Sequence, residues 1–247
     1  MSGHSKWSTI KRKKGALDAK RSKIFSRIVK EIQIAVKEGG ADVEANPRLR
    51  VAVNNAKGAN MPKDNVERAI KKGSSDGDSY TEVTFEGYGP HGIAFFIECL
   101  TDNNQRTVAE VRAVFNKHNG NLGTNGSLSF MFDRKGVFTI LKGDFDIEEF
   151  ELEIIDAGAE DFEVVDDKII ITTALEDFGS VQKKLDDLNI EAENAELQRI
   201  PNDTKILNVD DAKQIMTIID AFEELDDVQN VFHNLEMTDE LAKALNE

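Results

Sequence analysis

The first thirty residues carry the side chains in this sequence that are best suited to binding a polyanion. Ten of them are Lys or Arg and only Asp18 is acidic. Cations packed this densely repel one another until an anionic ligand neutralises them. A nucleic-acid backbone does so efficiently, because each phosphate contact releases condensed counterions. Trp7, the only tryptophan, adds a flat apolar face on which an unpaired base can stack. This segment therefore predicts a contact with nucleic acid.

The residues predicted to bind nucleic acid are the cations of this segment together with its tryptophan and histidine. They are His4, Lys6, Trp7, Lys11, Arg12, Lys13, Lys14, Lys20, Arg21, Lys23 and Arg27. Two other interpretations of the same residues stay open. A charged, serine-containing terminus can be a disordered, solubilising tail. It can also dock on the acidic surface of its own chain.

Five short motifs, taken in order along the chain, resemble one known protein family. They are Gly3-His4-Ser5-Lys6-Trp7, Asn60-Met61-Pro62, Gly87-Tyr88-Gly89-Pro90, the segment 101–107 (TDNNQRT) and Gly120-Asn121-Leu122-Gly123. In this order they resemble the YebC family, whose mitochondrial relatives are translational activators of cytochrome c oxidase subunit synthesis. The resemblance spans essentially the whole chain. The family more often has glycine at the position of His91.

The resemblance implies a three-domain protein that regulates gene expression. It implies either a DNA-binding transcriptional regulator, or a factor that binds ribosomal or messenger RNA at the ribosome and eases stalled synthesis. It points to the cytoplasm, to no cofactor and to no small-molecule substrate. The sequence itself contains no apolar stretch of membrane-spanning length, so a membrane partner is not expected.

Charge divides the chain into two parts. Residues 1–72 hold 18 basic and 7 acidic residues, whereas residues 73–247 hold 13 basic and 39 acidic residues. Because the acidic part would repel a phosphate backbone, we expect the basic part to orient any complex with nucleic acid. The sole cysteine, Cys99, excludes an intrachain disulfide and lies in an apolar run that predicts a buried thiol.

Hydrophobic spacing predicts an α+β multidomain fold. Residues 1–73 combine the basic arm with a helical bundle, in which apolar residues recur at helical intervals and Asn46-Pro47 opens the second helix. Residues 136–201 follow the order β-α-β-β-α-β of a ferredoxin-like unit. Residues 74–135 supply too few strands alone, so we expect residues 202–247 to complete a second ferredoxin-like domain into which 136–201 is inserted. Strands are predicted at 127–132 and 205–209, and a hairpin loop at 87–92.

No residue pattern predicts catalysis, so the chain is not expected to be an enzyme. The four histidines have no metal-ligand spacing with Cys or with one another. The paired acidic residues fit solvated helix faces better than sheltered acid–base pairs. Two alternatives stay open: a Mg²⁺-dependent nuclease that uses some of these carboxylates, and a protein–protein adaptor that uses the acidic α+β domains.

Overall fold

The computed structural model describes residues 17–75, 80–143 and 145–245, without the side chains of residues 17–20 and 239. This part of the chain contains eight α-helices, α1 to α8 in chain order: Leu17–Gly39, Pro47–Gly58, Lys63–Gly73, Asn104–Lys117, Ile147–Asp156, Phe178–Asp187, Val209–Glu223 and Asp239–Ala244. It also contains eight β-strands, β1 to β8: Thr81–Tyr88, Ala94–Thr101, Asn121–Leu122, Phe132–Leu141, Ala159–Val165, Lys168–Ala174, Ala192–Pro201 and Val228–His233.

The described residues form two compact units. The first unit contains residues 80–133 and 199–245, and the second contains residues 18–75 and 134–198. Each unit has one four-stranded sheet among the described residues. The mixed α+β class, the helical N-terminal region and the two sheets confirm the predicted fold class.

The first unit is assembled from segments that lie far apart in the sequence. Its strands run in the order β3-β1-β2-β8, and β2 pairs antiparallel with both β1 and β8. Helices α4 and α7 cover one face, where Phe115 and Phe222 meet with ring centroids 4.8 Å apart. Both rings lie beside Phe95 of β2 in the same core. Cys99 is buried there, as its sequence context predicted.

The second unit joins the helical bundle to a sheet of order β5-β6-β4-β7. Helices α5 and α6 supply Ile154 and Val181 to the core of this sheet. In the bundle, the Asn46 side chain accepts a hydrogen bond from the Leu49 amide at 3.1 Å, which confirms the predicted helix cap. Ile32 and Leu49 are fully buried in the bundle core.

Helix α2 contacts β7 through a paired side-chain amide. Asn55 Nδ2 donates to the Ala195 carbonyl at 2.8 Å, and the Ala195 amide donates to Asn55 Oδ1 at 2.8 Å. Since β7 is an edge strand, these two bonds satisfy backbone groups that the sheet leaves unpaired. The close approach requires glycine at position 58, because a Cβ there would lie 1.9 Å from the Glu193 carbonyl oxygen.

The predicted strand at 127–132 is wrong. The chain forms a 3₁₀ turn over Ser129–Met131, and β4 begins at Phe132. The cause is the buried carboxylate of Glu86, which accepts the amides of Gly126 and Leu128 and so removes them from sheet pairing. The predicted strand at 205–209 is also wrong, because only Lys205 bridges Leu235.

The predicted hairpin loop at 87–92 is present between β1 and β2. His91 has φ 57° within it, in the left-handed region where glycine is favoured. This conformation gives a physical reason for expecting glycine at this position. The His91 carbonyl accepts a hydrogen bond from Lys205 Nζ.

The three-domain division stays a prediction, and truncation after Pro201 tests it. The fragment would lack α7 and β8, and with them buried residues such as Ile215 and Phe222. Each such loss costs about 2–5 kcal/mol, so together they should exceed the total stability of a typical domain. We expect limited proteolysis to cut the fragment throughout residues 80–133, while the full chain resists. Equal protection of this segment in both proteins would contradict the predicted discontinuous domain.

Candidate nucleic-acid interface

Helix α1 places three cations along one face, and two of them, Lys23 and Arg27, are predicted site residues. Lys23, Arg27 and Lys30 are spaced by four and three residues, which puts them on the same side of a helix. Their side chains are half-buried. The neighbouring face carries Phe25 and Ile28, which pack against the bundle core. The apolar stripe thus fixes the direction in which the basic stripe points.

Arg21 connects the start of α1 to the loop between α2 and α3. Its Nη2 donates to the Asn60 carbonyl at 3.3 Å, and its guanidinium lies 5.5 Å from the centroid of the Phe25 ring. Asn60 has φ 55°, and its amide donates to the Lys57 carbonyl at 2.8 Å. The following amide, of buried Met61, donates to Ala56 at 2.9 Å. This left-handed helix end holds the loop beside the first described turns of α1.

Other cations of the bundle differ in how they are engaged. Arg48 is ion-paired with Glu38 at 2.7 Å and with Glu31 at 3.2 Å, so it belongs to the surface of the fold. Lys71 and Lys72 end α3, are exposed, and have no ion pair within the described ranges. Their position suits the negative end of the helix dipole. They add positive charge to the bundle beyond the predicted residues.

The predicted site residues divide into three groups by what the structure describes. Arg21, Lys23 and Arg27 lie on the first half of α1. Lys20 lies in the same helix, but its side chain is outside the described part. The others lie outside the described residues: His4, Lys6, Trp7, Lys11, Arg12, Lys13 and Lys14. The contact between Arg21 and Asn60 was not predicted from the sequence, and the Asn60-Met61-Pro62 motif was the signal that could have indicated it.

Family models match almost the whole chain. The "TACO1/YebC protein N-terminal domain" matches residues 5–76, and the "TACO1/YebC second and third domain" matches residues 80–235. The chain belongs to the TACO1/YebC family. The resemblance inferred from the five motifs is therefore confirmed.

Relatives in this family are named as regulators. The chain is 53% identical over 239 residues to a "Probable transcriptional regulatory protein" of Amoebophilus asiaticus, covering 95% of this chain and 98% of that one. It is 52% identical over 247 residues to a protein of the same designation from Borreliella burgdorferi strain ZS7, covering 98% and 100%. A crystal structure of "a Conserved Hypothetical Protein Aq1575 from Aquifex Aeolicus" is 41% identical, with a TM-score of 0.81 over 91% of this chain and 93% of that chain.

Another TACO1/YebC motif, residues 101–107, has a structural role in this chain. Arg106 Nη2 lies 2.6 Å from the buried carboxylate of Asp227 and 2.8 Å from Asp102. The hydroxyls of Thr101 and Thr107 donate to the same Asp227 oxygen at 3.0 and 2.8 Å. The hydrogen bond that Arg106 donates to Asp227 is the main cause of its raised pKa, and the hydrogen bond to Asp102 adds to it. The motif therefore joins the β2–α4 turn to the start of β8.

Two searches of the described residues bear on other classes of function. Residues 17–75, 80–143 and 145–245 hold no group of three or more His, Cys, Asp or Glu side chains placed to bind a metal ion. Over the same ranges, no helix combines the length and apolarity needed to cross a bilayer.

The contacts of Arg21 predict that it contributes to stability as well as charge. Arg21→Ala removes the hydrogen bond to Asn60 and the ring contact with Phe25, and we expect a loss of about 0.5–1 kcal/mol. Lys71→Ala removes the same charge without a described partner and serves as the control. Urea unfolding at equal ionic strength measures both. Equal destabilisation by the two variants would contradict the structural role of Arg21.

Proposed function

We propose that this member of the TACO1/YebC family is a non-enzymatic nucleic-acid-binding regulator of gene expression that acts in the cytoplasm. The observation that carries the proposal is the concentration of positive charge in residues 1–72 of a chain whose net charge is −15. The basic stripe on α1 extends that charge from the arm onto a folded surface. The designation of the relatives as transcriptional regulatory proteins supports the regulatory role.

Single-stranded or irregular RNA, such as exposed segments of ribosomal RNA, is the ligand we favour. A helix that reads the major groove uses side chains near its N-terminus to contact base edges. The first two turns of α3 instead expose the acidic residues Asp64 and Glu67, and Arg68 Nε donates to the Asp64 carbonyl at 3.1 Å. A basic arm with one tryptophan is suited to phosphates and unstacked bases. Binding to promoter DNA is the second version, and the names of the relatives favour it.

Replacing Lys11, Arg12, Lys13 and Lys14 together by alanine tests the proposal. If each neutralises one phosphate, the slope of log affinity against log salt should flatten by about three units. The matched control removes four exposed lysines elsewhere: Lys117, Lys183, Lys213 and Lys243. This control has the same net charge, so it separates local contacts from overall repulsion. Fluorescence anisotropy with a labelled oligonucleotide, measured from low to moderate salt, gives both slopes.

Other results of this experiment would favour the alternatives. An unaltered slope in the arm variant, together with lower stability at low salt, would indicate that the arm docks on the acidic part of its own chain. Time-dependent cleavage of labelled RNA or DNA in Mg²⁺ would favour a nuclease. Co-sedimentation with ribosomes that survives ribonuclease treatment would favour a protein–protein adaptor.

Trp7 provides a second and independent test. If its ring stacks on a base, bound RNA should quench its fluorescence, and Trp7→Ala should lose about 1–3 kcal/mol of binding free energy. Because Trp7 is the only tryptophan, the signal needs no further labelling. Trp7→Phe retains an aromatic face and should keep part of the affinity. Tighter binding to single-stranded RNA than to duplex DNA would support the favoured version, and the reverse order would support the transcriptional one. An emission spectrum unchanged at saturating ligand would contradict stacking.

A further inference from the structure

A turn in the first unit is held rigidly from two sides. We call the 3₁₀ turn Ser129–Met131 the Phe130 turn. Before it, Glu86, only 1% exposed, accepts the Gly126 amide at 2.7 Å and the Leu128 amide. After it, Asn202 donates from its backbone amide to the Met131 carbonyl at 2.9 Å and from Nδ2 to the Phe130 carbonyl at 3.0 Å. Side chains and backbone thus fix the turn at both ends.

This rigid turn holds an aromatic ring in solvent. Phe130 is 74% exposed, a larger fraction than for any other large hydrophobic side chain described. Leu128 and Phe132, two residues before and after it, are buried in a hydrophobic cluster that does not include Phe130. Tyr88, 43% exposed, lies beside the turn with its Oη 3.7 Å from Met131 Sδ. Because hydrogen bonds already hold the backbone that carries Phe130, a partner that covers the ring has less of the chain to order.

The charges of the first unit favour a cationic partner. Its residues 80–133 and 199–245 contain 7 Lys or Arg and 17 Asp or Glu. Asp133 follows the turn by two residues, and Asp203 follows Asn202 directly. Both are exposed and have no ion pair among the residues described. Two cations of this unit already have partners: Arg199 forms an ion pair with Glu98 at 2.9 Å, and Lys205 donates to the His91 carbonyl.

We propose that the Phe130 turn is a docking surface for an arginine-rich segment of a basic protein. A guanidinium would stack on the exposed ring of Phe130, as arginine does on aromatic faces. Asp133 and Asp203 would supply the compensating negative charge. A nucleobase could also stack on Phe130, but its phosphates would then meet these carboxylates, so the charge favours the protein. The inference does not depend on nucleic-acid binding by the basic arm.

Arg199 shows the same combination of arginine, aromatic ring and carboxylate within the first unit. Its guanidinium carbon lies 3.8 Å from the centroid of the Phe96 ring, and its Nε donates to Glu98 at 2.9 Å. Arginine, aromatic ring and carboxylate therefore already combine once on this protein. Phe130 is exposed, and no described arginine or lysine is placed over its ring.

Binding of a labelled peptide of four Arg-Gly repeats to the full chain tests the proposal. We expect Phe130→Ala to weaken binding by about 3- to 10-fold, measured by fluorescence anisotropy at physiological salt. The matched control is Leu152→Ala, which removes another exposed apolar side chain, 66% exposed, from the acidic helix α5. It should bind as the unaltered chain does. A Lys-Gly peptide of equal charge should bind more weakly and should depend less on Phe130.

Three results would overturn the proposal. The first is equal affinity of Phe130→Ala and the unaltered chain for the Arg-Gly peptide. The second is equal weakening by Leu152→Ala, which would show a non-specific effect. The third is a loss of single-stranded RNA binding in Phe130→Ala with peptide binding intact, which would assign the ring to a nucleobase. Because Phe130 is exposed, an unchanged thermal midpoint should confirm that the variant is folded.

Discussion

The first unit depends on the return of the C-terminal segment to the edge of β2. Strand β8 supplies the fourth strand of the sheet, and α7 supplies much of the core that covers it. Asp227 directly precedes β8 and accepts hydrogen bonds from Thr101, Arg106 and Thr107. A buried carboxylate needs such partners, because burying it unpaired would cost several kcal/mol. The polar network therefore specifies where the returning segment pairs, while the aromatic core stabilises the pairing.

At two other places, a polar side chain forms hydrogen bonds with backbone groups that are remote in sequence. Glu86 accepts amides of the loop before the Phe130 turn, and Asn55 pairs with the Ala195 backbone at the edge of β7. In both cases a polar side chain accepts a hydrogen bond from a backbone amide that no strand pairs. Backbone groups at such positions must find a partner. Glu86 fixes an exposed aromatic turn, and Asn55 joins the bundle to its sheet.

Segregation of charge separates two kinds of surface within one chain. The basic arm and α1 are suited to phosphates, whereas the acidic first unit is suited to cations. The Phe130 turn lies in the first unit, whereas the described site residues Arg21, Lys23 and Arg27 lie in the second. The two proposals therefore depend on different residues of the chain.

The sequence by itself determined most of the helices and strands, the family and the charge division. Strong periodicity predicted the bundle, the β-α-β-β-α-β unit and the buried Cys99, because apolar spacing reflects which face must leave water. The prediction from periodicity was wrong at 127–132. The apolar alternation there is that of a strand, but the Gly126 and Leu128 amides donate to Glu86, which is distant in sequence. Only the tertiary structure decided the partners of Asp227, Asn55 and Arg21. These are single polar contacts between remote residues, and their energy depends on geometry that local sequence patterns do not contain.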